Sequence, residues 1–510
     1  MTAIRQRYER LEAARQPFLD RARDAAKLTI PSLLPPDGHS AHSKLYTPFQ
    51  GIGARGVNNL SSKMLLALLP PNSPFFRLTV DDFKLQELAQ EEGARAEVEE
   101  ALSSIERAVM SEIEASSTRI AAFEAIKHLL VAGNVLLYQP DKGGMRVFHL
   151  DRYVMKRDPM GNPLEIITKE DVSPSALPEE IRDLLETSDE DTSQDEPVAL
   201  FTHIVRRDGK WNVTQEVAGI PVPEATGTFP LDKSPWIPLR LSRIDGESYG
   251  RGYVEEYQGD LNSLETLTQA IVEAAAASAK VLFLVRPNGT TRARVLAEAP
   301  NGAIREGDAN DVSTLQVQKS GDMQIAFQSS QEIKERLSFA FLMNSSVQRK
   351  AERVTAEEIR YMASELEDAL GGIYSILSQE FQLPLVNRLL LQMQKQKKVP
   401  QLPKGLVSPT IVTGLEALGR GHDLNKLAAM LDHLAPLGPE AIQKYMNIGD
   451  YITRVGTSLG MDMGGLIKSQ EEMEQEEQQA MMMQTGQQLA PQAFDAMKEQ
   501  MQQQPPQGNE

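Results

Sequence analysis

Two glycine-rich strings in this chain match patterns that carry chemistry. Gly51-Ile-Gly53-Ala-Arg-Gly56 fits G-x-G-x-x-G, in which a tight turn lets a pyrophosphate reach the N-terminus of a helix. That chemistry needs a strand before the glycines and a helix after them. A helix is expected from Val57 to Leu69, but Lys44 to Gln50, with Pro48 inside it, is a poor strand and no βαβ unit surrounds it. The plain reading is a close glycine-lined helix start. Gly246-Glu-Ser248-Tyr-Gly250 fits G-x-S-x-G, the elbow that exposes a nucleophilic serine. Trp236 to Ser242 reads as a strand before it, a helix follows, and His422 and His433 lie downstream in the order Ser–acid–His. A serine hydrolase using Ser248 is therefore the alternative to weigh. Such an enzyme needs a parallel sheet of alternating strands and helices. The chain after Ser248 instead reads as a long helix, a β insert and more helices, with no HGGG-type oxyanion segment upstream. Ser248 is read as part of a structural turn.

Other chemistry is sparser. His39, His42, His128, His149, His203, His422 and His433 show no H-E-x-x-H or comparable metal spacing, and most are expected at the surface or the edge of the core. Gly209-Lys210 precedes Trp211, so there is no phosphate-binding Walker loop and no ATP-driven motor. The chain has no cysteine, which excludes disulfides, thiolate metal sites, iron–sulfur clusters and thiol nucleophiles, and fits a reducing cytoplasm. No cofactor, no metal and no enzymatic activity are expected. One segment stands out by charge: from Asn344 to Val354, Arg349, Lys350 and Arg353 face Glu352 alone. A net basic loop on an acidic chain is suited to meet phosphate. The alternative is pairing with Glu352, Glu357 and Glu358 at the start of the next helix, a contact of ~0.2–0.5 kcal/mol per pair.

The elements that must position these residues follow from periodicity. Ile4, Tyr8, Leu11, Phe18, Ala22 and Ala25 predict a helix with a kink or break at Pro17. Val98, Leu102, Ile105, Val109 and Ile113 predict another. Ser116-Ser117-Thr118 offers an N-cap for a third, through Ile120, Phe123, Ile126 and Leu130, which Gly133 should close before a strand from Val135 to Tyr138. Hairpins are expected at Asp158–Asn162 and at Asp208-Gly209. The stretch from Glu165 to Glu196, with twelve acids against Lys169 and Arg182, reads as a solvated loop. Tyr257, Leu261, Leu264, Ile271, Ala275 and Ser278 line a long helix, and its run Ala274–Ala277 permits close helix approach. Short β segments with turns at Pro287–Gly289 and Pro300–Gly302 then run to about Phe327, and a helix resumes near Ser330 with Ile333, Leu337 and Phe341. Thr355 to Glu358 is a capping box that opens a helix through Ile359, Met362, Leu366, Leu370, Ile373 and Leu377. Pro384, Pro400, Pro403 and Pro409 punctuate its exit, and short helices continue to about Leu466 before a Gln/Glu/Met-rich tail.

The whole is an α+β chain, predominantly helical, with no internal repeat. Its 510 residues imply several regions at ~100–200 residues per domain. With 53 Lys+Arg against 71 Asp+Glu its formal net charge is −18, which argues against nonspecific coating of nucleic acid but not against a surface that nucleic acid slides past. The longest apolar runs, such as Met64 to Leu69, fall short of the ~18 residues a membrane span needs. The charged start lacks a signal-peptide apolar core.

At this point a resemblance adds to the residues. Gly53-Ala-Arg-Gly-Val-Asn-Asn-Leu-Ser-Ser-Lys63, Leu130-Val-Ala-Gly-Asn-Val-Leu-Leu-Tyr138 and Arg243-Ile-Asp-Gly-Glu-Ser-Tyr-Gly-Arg251 resemble segments of the portal proteins of short-tailed, podovirus-type bacteriophages. So do the stretch from Leu337 through Arg353-Val-Thr-Ala-Glu-Glu-Ile-Arg-Tyr to Gln382-Leu-Pro-Leu-Val386, and Thr413-Gly-Leu-Glu-Ala-Leu-Gly-Arg-Gly421. The likeness runs in order from about Tyr8 to Leu424 and fades beyond about Gly460. It implies a portal fold: a wing at 1–246 and again at 355–400, a first stem helix at 247–279, a β-containing clip at 280–328, a second stem helix at 329–343, a tunnel loop at 344–354, a helical crown at 401–469 and a tail at 470–510. It implies a dodecameric ring at a unique capsid vertex that nucleates head assembly and conducts double-stranded DNA during packaging and ejection. The partners implied are the terminase large subunit, scaffolding and major capsid proteins, tail adaptor proteins and internal core proteins, with no membrane. The protein would be made in the host bacterial cytoplasm and end in the virion. Gln348, Arg349, Lys350 and Arg353 would line the channel.

Overall fold

The computed structural model describes residues 4–40, 42–71, 74–80, 94–179, 181–182, 197–278, 282–315, 320–343, 370–402, 407–411, 420–438, 446 and 448–459. The chain divides into two compact units, one of residues 1–92 with 101–417, the other of residues 93–100 with 418–510.

In the first unit, α1 (Ile4–Leu28) turns Tyr8, Leu19, Ala22, Ala25 and Leu28 inward and runs unbroken through Pro17. Pro17 and Ala13 are both exposed, so the carbonyl that proline leaves unpaired can face water and the helix tolerates the loss. The following helices are α2 (Ile52–Leu68), α3 (Ala94–Ala115), which belongs to this unit from Ala101 onward, and α4 (Thr118–Ala132). On the expected stripe of α3 the inner positions are buried and Val98 is not. At the start of α4, Ser117 makes no side-chain cap; instead the Ser116 and Thr118 hydroxyls bond each other at 2.7 Å. Ile120 of the expected stripe points outward, while Ile126 and Leu130 are buried. Gly133 does close α4: its φ is 71°, and a Cβ there would lie 2.3 Å from the Arg251 carbonyl carbon. Only glycine takes that conformation and that space without cost.

Strand β2 (Asn134–Tyr138) leaves this glycine and lies between β3 (Arg146–Phe148) and β9 (Trp236–Arg240). A second, five-stranded sheet is a meander of β4 (Tyr153–Arg157), β5 (Pro163–Val172), β6 (Val198–Arg207), β7 (Lys210–Val217) and β8 (Ile220–Pro230). Both expected hairpins form. Asp208 and Gly209, at φ 52° and 71°, make the tight turn of the second, since two left-handed residues match the twist of paired strands. A third hairpin turns at Ala218-Gly219, where alanine gave no turn signal. The acidic stretch is corrected at its start: Glu165 to Val172 is the second strand of this sheet, and Ile166, Ile167 and Thr168 are buried. Glu165 is drawn in by partners, accepting from Arg7 at 2.6 Å and meeting His203 Nε2 at 2.9 Å. Burial opposes its charge, but His203 and Arg7 hold its pKa down to about 2. Residues 183–196 lie outside the described part.

The middle of the unit is a two-helix arm. It comprises α5 (Tyr253–Glu256), α6 (Gln258–Ser278), β10 (Leu282–Val285), α7 (Ala293–Ala297), β11 (Val312–Leu315) and α8 (Ser320–Ala340). The first helix begins at Tyr253, after an irregular segment at 241–252. The second begins at Ser320 rather than near Ser330. Met323, Ile325 and Phe327 alternate at a spacing of two, which reads as strand, yet they lie on this helix with Ile325 and Phe327 exposed.

Beyond the arm, helical residues 370–377 pass through a π turn at Ser378–Gln382 into α9 (Leu383–Lys395). Pro384 was expected to end this helix. It stands in the first turn of α9, and the wider turn before it relieves the i−4 pairing that proline cannot complete. Glu380, inside the π turn, receives Arg240 at 2.9 Å. Strand β12 (Val407–Ile411) then pairs antiparallel with β1 (Phe76–Val80), where only helices were expected. Pro409 is tolerated because each strand of a two-stranded sheet has a free edge.

One apolar core joins α1, α2, α4, β2, the root of the arm and α9, with Val57, Leu60, Leu130, Leu136, Leu337, Phe341 and Leu385 all sealed from solvent. In the second unit, α10 (Arg420–Leu434) is followed by α11 (Ile448–Leu459). The capping box at Thr355, its stripe as far as Leu366, and the tail from 460 onward lie outside the described residues. Among the described residues, no helix is long and apolar enough to cross a membrane.

Candidate functional site: the two-helix arm and its root

The arm is closed at one end and open at the other. At its root, α6 buries Leu261 and Leu264, and α8 buries Ile333 and Leu337. Arg336 of α8 reaches Asp260 of α6 at 2.7 Å, which fixes the pair in register. Farther out, Val272 is 50% exposed, Ile325 67% and Phe327 53%. At the tip, β10 and β11 form one antiparallel ladder, and Phe283 and Leu284 of β10 remain exposed, as does Ile304. No apolar residue described between 265 and 332 is buried. Hydrogen bonds hold the tip instead. The Asp311 carboxylate accepts the Thr291 N–H and the Thr290 hydroxyl, each at 3.1 Å, and Thr291 Oγ1 accepts the Asp308 N–H at 2.8 Å. Gly289 leaves the space that the Asp311 side chain fills.

The first glycine string sits against this root. Among the described residues there is no strand before α2; Gly51 is exposed, and Gly53 and Gly56 face protein. A Cβ on Gly53 would lie 2.5 Å from the Leu28 carbonyl oxygen, and one on Gly56 would lie 2.5 Å from Phe341 Cγ. The motif is read by helix contact, so the dinucleotide pattern is coincidental. Beside it, Glu265 of α6 ties down the preceding segment, accepting from the Tyr46 hydroxyl and from the Phe49 and Gln50 N–H groups at 2.9 and 3.1 Å. Neither Glu265 nor the Phe341 slot was visible in the sequence; their partners are remote along the chain.

The second glycine string is a turn. Ser248 Oγ accepts the Arg157 N–H at 3.2 Å, and the Ser248 carbonyl accepts Arg157 Nε at 3.2 Å. Every strand pair among the described residues is antiparallel. The parallel sheet that presents a nucleophile elbow is not formed by them. Burial pushes the Arg157 guanidinium down to about 10, against the pull of Glu380.

One histidine departs from the expectation for most of them. His128 is buried in α4 rather than at an edge, 2% exposed and stacked on His149 at 6.0 Å between ring centroids. Burial, and then His149, push its pKa down to about 4. His149 in turn pairs with Asp151. Among the described residues no group of three His, Cys, Asp or Glu could hold a metal. Gln348, Arg349, Lys350 and Arg353 lie outside the described residues, as does the segment 344–354 apart from its approach through Met343.

The comparisons give this arrangement a family. Residues 1–467 match the family described as bacteriophage head to tail connecting protein. A portal protein of Escherichia phage T7 is 46% identical over 484 residues, covering 93% of this chain and 90% of the relative. A portal protein of Enterobacteria phage T3 is 44% identical, covering 94% of this chain and 89% of the relative. A portal protein of Enterobacteria phage SP6 is 32% identical, covering 92% and 90%. Among solved structures, a chain in the neck of the empty GTA particle matches with a TM-score of 0.37 at 12% identity, covering 81% of this chain and 90% of the other. A chain of the native GTA neck matches at 0.32 and 13%, covering 74% and 85%. With most of its length matched by the family and by its curated relatives, the chain belongs to the bacteriophage head-to-tail connecting proteins.

Proposed function

We propose that this chain is the repeating subunit of a dodecameric portal ring at a unique capsid vertex. In this reading α5 and α6 are the first stem helix, α8 the second, the unit around β10 and β11 the clip, the segment 344–354 the tunnel loop, and residues 401–469 the crown. The body around the five-stranded sheet, with residues 355–400, is the wing. The ring nucleates head assembly with scaffolding and major capsid proteins and contacts the internal core proteins. It docks the terminase large subunit while DNA enters, then tail adaptor proteins, and lets the genome leave at infection. The function is mechanical, with Ser248 in a structural role.

The observation that carries this reading is the arm, whose apolar residues Val272, Phe283, Leu284, Ile325 and Phe327 are left uncovered by their own chain. Exposed apolar surface of that kind marks association surfaces, and a ring of like chains covers it. The charge balance fits a conduit. A chain of net charge −18 adheres weakly to phosphate, so DNA slides, while a ring of Arg349, Lys350 and Arg353 would hold it lightly.

Two experiments test this. Purified protein viewed by negative stain should show rings, with a particle mass of twelve subunits. A monodisperse monomer at micromolar concentration would count against it. Arg349→Ala with Lys350→Ala should leave rings intact and reduce DNA packaging or retention in assembled heads. It should also flatten the salt dependence of DNA binding by roughly one unit of slope per lost contact. Wild-type packaging in that variant removes the channel role from these residues.

A further inference from the structure

The last turn of α8 is capped by side chains from two other helices, an arrangement the family match does not explain. The Tyr253 hydroxyl donates to the Ala340 carbonyl at 2.9 Å. Asn59 Nδ2 donates to the Phe341 carbonyl at 2.9 Å and lies 3.1 Å from that of Leu342, and Lys63 Nζ donates to the Leu342 carbonyl at 2.9 Å. Three successive carbonyls at a helix C-terminus, which ordinarily turn to water or to a following glycine, are thus bonded to α2 and α5. Phe341 fills the slot at Gly56, where a Cβ would lie 2.5 Å from its ring, and its ring meets those of Tyr253 and Tyr257 at 5.9 and 6.0 Å.

The backbone at this end is strained. Leu342 has φ 52°, and the Met343 N–H reaches back to the Ser338 carbonyl at 2.8 Å. This is the helix stop that usually places glycine at the left-handed position. Leucine there is unfavourable by itself, so something must hold it. Asn59 and Lys63 bond to the strained residue's own carbonyl. A lysine at a helix C-terminus also meets the negative end of the helix dipole.

We propose that Gly56, Asn59 and Lys63 of α2, with Tyr253, form a socket that positions the end of α8 and fixes the point where the chain leaves the arm. The arm's first helix begins at Tyr253 and its second ends at Ala340, so Tyr253 ties the two ends to each other while Asn59 and Lys63 hold the second to α2. The positioning claim stands on the described geometry, and its consequence for DNA rests on the portal reading above. If the chain beyond Met343 is to act at a set place, its origin must not wander. The residues that secure it are those of the first glycine string and the polar positions after it.

The test uses assembled full-length protein and compares wild type with Asn59→Ala/Lys63→Met, with Lys63→Arg as the conservative control. Amide hydrogen exchange at Phe341, Leu342 and Met343 should speed up about tenfold or more in the double variant, because two donors to that end are lost. Exchange in α4 and β2 should be unchanged, and so should the particle mass. DNA packaging into heads should fall severalfold, and Lys63→Arg should behave as wild type in both assays. Unchanged exchange at 341–343 would overturn the socket. Faster exchange with wild-type packaging would overturn its positioning role and leave only a local contact. Should the double variant fail to fold, Lys63→Met alone and Tyr253→Phe each delete one donor and are expected to raise the same exchange rates severalfold. Unchanged rates in both would equally overturn the proposal. Arg349→Ala/Lys350→Ala, run beside them, separates the two ideas: wild-type packaging there defeats the DNA-gripping reading, while the exchange result continues to decide the socket.

Discussion

The body of the first unit and the outer half of the arm are built from the same kinds of residue and treat them oppositely. In the body, Leu60, Leu130, Leu136 and Phe341 are completely buried by their own chain. In the arm, Phe283, Ile325 and Phe327 are more than half exposed. Burial of a large apolar side chain contributes about 1.5–3 kcal/mol wherever it occurs. What differs is when the burial happens: the body gains it on folding, and on the proposed portal reading the arm gains it only on association. A chain can thus be a stable subunit and still have a strong drive to join others.

The contrast can be tested from the largest expected effect on subunit stability to the smallest. Phe341→Ala empties the slot at Gly56 and should cost the isolated subunit about 3–5 kcal/mol, read by chemical denaturation. A loss below about 1 kcal/mol would mean that the root of the arm is not part of the body's core. His128 tests the body by pH. Its folded pKa is about 4, below the ordinary 6.5, because burial disfavours the charged ring. Between those values the unfolded chain binds a proton that the folded chain refuses. Stability from this group is therefore lost as pH falls from about 6.5 towards 4, at no more than about 1.4 kcal/mol per pH unit. His128→Leu should flatten the stability–pH curve in that window, and an unchanged slope would place the titration elsewhere. The smallest effect is the most telling. Ile325→Ser with Phe327→Ser should change subunit stability by no more than about 0.5 kcal/mol, yet abolish or weaken ring formation seen by mass and microscopy. A subunit that loses stability as the core variant does would erase the distinction between the two regions.

Legibility in the sequence followed distance along the chain. The stop at Gly133, the strand after it and the hairpin at Asp208-Gly209 were readable because the residues that decide them are neighbours. The helix from Ser320 was misread because Met323, Ile325 and Phe327 alternate, and their exposure breaks the rule that apolar spacing reports a buried face. The pairing of β1 with β12 and the grip of Asn59 on Phe341, 282 residues away, had no local signature at all. Gly53 and Gly56 were noticed, but for a phosphate pattern; the helix they admit could be seen only with the fold in hand. The basic residues of the segment 344–354 were found by charge contrast, a signal independent of their geometry.

The pairing of residues 76–80 with 407–411 also sets a clock. At a synthesis rate of about 5–20 residues per second, the first of these strands waits roughly 15–65 s for the second. In that interval Leu68 also lacks the Gln382 side chain that bonds its carbonyl at 2.6 Å, and Ala67 lacks Tyr374 at 2.7 Å. The nascent arm emerges before the body that must carry it is closed. Closure of this unit therefore cannot precede the synthesis of residue 411, well over three hundred residues after its first strand.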